Sequence, residues 1–166
     1  MMRLIEIRPS IYSWEDRIDS TKNATLLVHP FYIQYNHPEE YSGNERYFWH
    51  LNNFLRQHTG PIITLEERKM LRKTEKKFKS LRPFKNSFFI PTSIASPDPI
   101  DITWDELSDF LKEFDIDTLE LTGGYYTILV EGRLFRGCLG VAEYELNRRN
   151  IPTRVIKELT FNDPHN

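Results

Sequence analysis

The sequence predicts an α/β fold: a mainly parallel, doubly wound sheet of about five to six strands in a three-layer sandwich. Three observations predict it. Short apolar runs alternate with stretches of helical period in the order TLLV, helix, PIITL, helix, SFFIP, helix, TLEL, helix, TRVI, which is the pattern of a parallel sheet covered by helices. The run Leu26-Leu27-Val28 is apolar without alternation, as in a strand buried on both faces. Strand–helix–strand crossovers are right-handed, which sends helices to both faces of such a sheet.

At 166 residues the chain reads as one domain, 1–166, with enough length for a sizeable core. Aromatic residues make up 13%, unlike a disordered chain. A net charge of −2 gives no overall attraction to nucleic acid or membranes. A single cysteine rules out an internal disulfide and fits a reducing compartment. No apolar stretch approaches the ~20 residues that span a bilayer, and no basic start with an apolar run reads as a signal peptide. The expectation is a cytoplasmic protein.

In chain order, LIEI reads as an edge strand, and RPSIYSWEDRIDSTKN as a turn and short surface helix. TLLVHPFY is a strand that ends near His29, because Pro30 lacks a ladder donor. A turn at Asn36-His37-Pro38 precedes a helix whose inner face is Tyr47, Phe48, Leu51, Phe54 and Leu55. Gly60-Pro61 ends it and opens the strand PIITL. A helix is expected over Glu66–Leu81, with Met70, Leu71, Thr74, Phe78 and Leu81 inside, lysines and arginines outside, and Glu66 and Glu67 in its first turn. The strand NSFFIPT follows, then a helix opened by the capping box Thr103-Trp104-Asp105-Glu106. Leu119–Leu121 is a strand running into Gly123-Gly124, where the chain turns sharply or something approaches its backbone. TILVEGRLF permits a hairpin turning at Glu131-Gly132. A helix opens near Gly137-Cys138 and stops by Asn150 and Pro152, before a last strand, Thr153–Ile156, read as buried on both faces.

In open α/β sheets ligands sit beyond the carboxyl ends of the strands. The candidate ligand set there is His29, Tyr32, Thr92, Gly123, Gly124, Arg133, Arg136 and Cys138. Cys138, at the first turn of its helix with Arg133 and Arg136 nearby in sequence, is expected to have its thiol pKa lowered and to serve as a nucleophile. The competing reading is a buried cysteine acting as a small apolar residue. Free amides at that helix start, with the two arginines, would also suit a phosphate or carboxylate. The histidines show no metal-ligand spacing, so no metal or other cofactor is expected.

Gly123 after a strand, Cys138-Leu139, Ala142 four residues on, and a turn at Asn150 leading into RVIKEL resemble the final βαβ unit of the isochorismatase-like cysteine hydrolases. The resemblance covers about a quarter of the chain. It implies a parallel α/β sheet and hydrolysis of small amides or vinyl ethers by Cys138. Lys85, in RPFKNSFF, would correspond to the family's lysine. His29-Pro30 stands where the family has its aspartate, which leaves His29 as the base.

The functional expectation is a small-molecule site at the carboxyl edge of the sheet, with an anionic ligand where the helix start, Arg133 and Arg136 meet it, and a divergent cysteine hydrolase as its enzymatic form. The alternative is a non-catalytic interaction domain that uses the basic helix 66–81 and the loop 125–136. Nucleic acid is disfavoured as its partner, since no aromatics interleave the basic face. A homo-oligomer stays open.

Overall fold

Four strands whose side chains are almost all buried take the centre of one sheet. The computed structural model describes residues 5–13, 24–31, 45–58, 60–81, 87–93 and 96–160. The elements are β1 (Ile5–Arg8), β2 (Ile11–Ser13), β3 (Thr25–Val28), α1 (Glu45–Gln57), β4 (Ile62–Glu67), a 3₁₀ turn (Arg68–Met70) leading into α2 (Leu71–Leu81), β5 (Ser87–Thr92), α3 (Trp104–Lys112), β6 (Leu119–Gly123), β7 (Thr127–Val130), β8 (Arg133–Arg136), α4 (Cys138–Asn147) and β9 (Thr153–Thr160). The main sheet has seven strands in the order β1-β2-β5-β4-β3-β6-β9, and β7 and β8 form a separate ribbon. β5, β4, β3, β6 and β9 are parallel, and β1 and β2 add antiparallel at the β5 side. The fold is therefore α/β with a mostly parallel sheet.

The period-2 alternation of the central strands feeds two cores. Leu26, Val28, Ile63, Leu65, Phe88 and Ile90 pack with residues of α3 and α4. Leu27, Ile62 and Phe89 pack with α1, Met70 and Phe78. In the first core, Phe88, Phe110 and Phe114 meet edge to face with ring centroids 5.2–5.6 Å apart, a favoured aromatic geometry. Burying each of these rings contributes roughly 2–3 kcal/mol. Thr103 caps α3 as its sequence implies: its hydroxyl oxygen accepts the Glu106 amide at 3.1 Å.

Three expectations need correction. Ile11–Ser13, read as part of a turn and helix, is a strand pairing Tyr12 with Phe89 and Ser13 with Phe88; three residues are too few to show a period. Glu66 and Glu67 do not open a helix. They end β4, both buried, because the ladder to β5 continues through Glu66↔Pro91 and Glu67↔Thr92. β9 is not buried on both faces. It is the last strand of the sheet, with Arg154, Lys157 and Glu158 exposed, only Leu159 buried and the rest half-buried, and is held by the Thr122 hydroxyl donating to the Leu159 carbonyl.

Candidate functional site

The carboxyl ends of β3, β4 and β5 converge on a small group of polar side chains in an otherwise apolar setting. β3 ends as His29 donates its amide to the Leu65 carbonyl at 2.8 Å and takes a left-handed backbone, φ 48°. Such a conformation is uncommon outside glycine and clusters at functional sites. It turns the imidazole across the end of β4 toward β5, where Nε2 lies 2.8 Å from the Thr92 hydroxyl. His29 and Thr92 are each only 2% exposed. Two of the expected site residues are thus brought together from strands that do not touch.

Between those strands stand two carboxylates that the sequence reading placed on a helix. Glu66 is wholly buried, and its Oε1 accepts the Glu67 amide at 3.0 Å. Glu67 pairs with Lys69 at 3.1 Å. Burial pushes Glu66 up to about 8 against the pull of the Glu67 and Phe31 amides, with the Glu67 charge adding to the rise. Burial lowers His29 to about 4, and Glu67 opposes that only in part. At neutral pH the imidazole is therefore neutral and Glu66 keeps its proton. The signal that could have found it was in PIITLEE: acidic residues ending an apolar run that needs no first-turn charge if the strand simply continues.

Beyond Glu67 and Thr92 opens a cleft of about 480 Å³, lined by Glu67, Arg68, Lys69, Thr92, Ser93 and Ile100. Its outer wall is the segment after β5. That segment is tied down by Ser93 N–H to the Asp98 carbonyl (3.0 Å), Ile100 N–H to the Pro91 carbonyl (3.1 Å) and Trp104 Nε1 to Asp98 Oδ1 (2.9 Å). Arg68 lies over the Tyr12 ring and 3.6 Å from Asp101, which also accepts from Ser10 Oγ at 2.8 Å. The volume suits a small metabolite.

The remaining expected residues lie elsewhere. Gly123 (φ 125°) and Gly124 are closed against β3: a Cβ on Gly123 would meet the Val28 carbonyl oxygen at 2.1 Å, and Gly124 donates to that oxygen at 2.7 Å. What approaches this glycine corner is the neighbouring strand, not a ligand. Arg133 and Arg136 are exposed on β8, and Arg136 stacks on Tyr144 at 4.4 Å. Tyr32 and Lys85 lie outside the described residues.

Cys138 does open α4, with Gly137 as N-cap. The lowered thiol pKa expected from that position is overturned. Burial raises it to about 11, the Glu66, Glu67 and Asp98 carboxylates push the same way, and its own amide opposes them without offsetting the burial. The thiol is half-buried against the α3–α4 core and is not part of the cleft lining. The helix start is also filled from within: Gly137 donates to the Tyr126 carbonyl (2.8 Å) and Leu139 to the Tyr125 carbonyl (3.1 Å), so these amides are not presented to an anion.

Among the described residues no group of three or more His, Cys, Asp and Glu side chains could hold a metal ion. Among them, too, no helix is long and apolar enough to cross a membrane. No family model matches this chain, and neither a curated protein nor a solved structure matches it.

Proposed function

We propose that this protein binds a small polar molecule at the carboxyl edge of its sheet, in the cleft beyond β4 and β5, within a doubly wound three-layer sandwich. The observation that carries the reading is the buried His29–Thr92 hydrogen bond directly behind the cleft wall. A neutral imidazole held across a strand end, on a strained backbone, is costly to a fold that has no use for it. The Thr92 hydroxyl donates to the Ser93 carbonyl at 3.3 Å, which leaves its lone pair to accept from Nε2–H.

In this reading Thr92 and Ser93 offer the ligand hydroxyl and backbone contacts, Ile100 offers an apolar wall, and Arg68 and Lys69 stand at the mouth. Both cations already face carboxylates, Asp101 and Glu67. An anionic group entering there exchanges partners with them, so the ligand carries both polar and charged character. Covalent attack by Cys138 gains no support from surroundings that keep its proton in place, and a hydrolase of the isochorismatase-like type would need a different activation.

The test is fragment binding followed by amide shifts in ¹H–¹⁵N spectra, with acetate, acetamide and inorganic phosphate as probes. The expected result is a cluster of shifts at Glu67–Lys69, Thr92–Ser93 and Ile100. It should be lost in Thr92→Val and kept in Thr92→Ser. Shifts that gather elsewhere, or survive unchanged in Thr92→Val, would remove the proposal.

A further inference from the structure

The 3₁₀ turn and α2 present a concentrated positive charge to solvent. Seven of the twelve residues 68–79 are lysine or arginine and one is acidic, Glu75, a net +6 in a chain whose total is −2. The inner side of α2 is set by Thr74 and Phe78, both buried. At 3.6 residues per turn, Lys73 and Lys76 then fall on its outer flank, with Lys77 beside them at the edge of the core and Lys69 extending the row from the 3₁₀ turn. Lys69, Lys73 and Lys76 are exposed and Lys77 is half-buried. Steps of three or four residues set these charges about 4.5–6 Å apart along the axis.

This row flanks α1. Both helices carry the chain from the carboxyl end of one strand to the amino end of its parallel neighbour, so they run in the same direction, and both pack on the second core. Burial lowers the Lys77 ammonium and the Arg56 charge adds to the shift, which sets Arg56 across from Lys77. Trp49 precedes Arg56 by seven residues, so it lies on the same side of α1, about 10 Å nearer the carboxyl end of the sheet. That is level with the stretch between Lys69 and Lys73. Trp49 is 63% exposed, and His50 meets its indole edge to face with ring centroids 4.9 Å apart.

We propose that the groove between α1 and α2 binds a single-stranded polynucleotide, with its phosphates along Lys69, Lys73, Lys76 and Arg56 and an unpaired base stacked on Trp49. Such strands are held by cations that track the backbone together with aromatic rings that take the bases. Here the two parts come from different helices. α2 by itself has no exposed aromatic, since Phe78 is buried; α1 supplies it. The remainder of the chain is net negative and steers a polyanion toward this face. An anionic membrane fits less well, because the apolar side of α2 faces the core and cannot insert. A duplex offers Trp49 no unpaired base.

The experiment is fluorescence anisotropy of a labelled oligothymidylate of about 12 nucleotides, titrated with the full chain across a salt series. Four contacting cations predict a slope of log K against log salt of about −3. Lys73→Gln with Lys76→Gln should flatten that slope by about 1.4. Lys112→Gln, exposed on α3 across the sheet, should leave it unchanged. Trp49→Ala should weaken binding roughly tenfold with the slope unaltered, and Trp49→Phe should keep most of the affinity. Polyglutamate of matched charge and phosphatidylserine vesicles should bind more weakly than the oligonucleotide and respond to neither Trp49 variant. Absence of binding at low salt overturns the proposal, and so does a slope that the lysine pair leaves intact. Oligonucleotide binding that survives Trp49→Ala undiminished, or that polyglutamate or the vesicles equal, overturns it too, in favour of a surface for acidic protein or lipid. If Trp49→Ala fails to fold, Trp49→Gln stands in for it.

Discussion

Replacing Glu66 by glutamine should change how stability depends on pH, and the size of the change follows from two opposed groups. Glu66 sits wholly buried on β4, raised from its ordinary 4.5 to about 8. Between those values the folded chain keeps a proton that the unfolded chain has released, so stability falls as pH rises. At 1.36 kcal/mol per pH unit the full loss is about 5 kcal/mol. His29 acts in the other direction. It is lowered from 6.5 to about 4, so between pH 4 and 6.5 the unfolded chain binds a proton that the folded chain does not. Stability then rises with pH, by about 3 kcal/mol in total.

The two slopes cancel between about pH 4.5 and 6.5, and above 6.5 only the Glu66 slope is left. The parent protein should be nearly flat across the first window with respect to this pair. It should then lose about 2 kcal/mol between pH 6.5 and 8. Glu66→Gln keeps the oxygen that accepts the Glu67 amide and removes the titration. Its stability should rise by about 3 kcal/mol from pH 4 to 6.5 and stay level to pH 8. Urea unfolding followed by fluorescence at half-unit pH steps measures both curves, and their difference cancels contributions from groups common to the two chains. If the variant loses as much as the parent between pH 6.5 and 8, Glu66 is not the buried proton carrier inferred from its surroundings.

Other substitutions probe the parts of the edge separately. With a pKa of about 11, Cys138 should be about one part in ten thousand thiolate at pH 7. Its alkylation by iodoacetamide should then run roughly tenfold slower than a free cysteine peptide, after allowing for the higher nucleophilicity of a more basic thiolate. The rate should climb about tenfold per pH unit through pH 10, and a plateau below pH 9 would contradict the assignment. Gly123→Ala drives a methyl group into the Val28 carbonyl at a backbone angle of 125°, and combined overpacking and strain should cost about 4 kcal/mol. Gly132→Ala meets open space at φ 76° and should cost only about 1 kcal/mol. Equal losses in urea unfolding for the two would mean that the β3–β6 contact is not the constraint on Gly123.

The architecture was legible because the strongest signals were local and repeated. Leu26-Leu27-Val28 is apolar at every position and lies centrally, with neighbours on both sides. The Thr103 cap and the Glu131-Gly132 turn formed where their residues required. The reading faltered where a strand was too short for a period, as at Ile11–Ser13, and where two residue types admitted two structures. Glu66-Glu67 before a basic helical stretch satisfies the preference for acids at a helix start. It equally satisfies a strand end, and only the ladder to Pro91 and Thr92 chooses between them. The central polar pair was half legible: His29 followed from Pro30 ending its strand, whereas its bond to Thr92 depends on the order β5-β4-β3, which no local pattern encodes.

That the tip of α4 offers no open anion site has a definite cause in the chain. A helix that opens directly after a strand and a glycine corner presents its first amides to whatever lies beyond the sheet. Here thirteen residues intervene between Gly124 and Cys138. They do more than form the ribbon, because their first two carbonyls, of Tyr125 and Tyr126, turn back onto Leu139 and Gly137. Gly137 and Gly140 lack side chains where those carbonyls press closest, at 2.2 Å and 2.5 Å from an added Cβ. The insertion thus takes up the Gly137 and Leu139 amides that an anion would otherwise meet, while Glu67 and Asp98 supply charge of the wrong sign for one. With the helix tip committed to holding the ribbon and the β3–β6 crevice closed at Gly123, the strand ends of β4 and β5 are where polar groups still meet an open cleft.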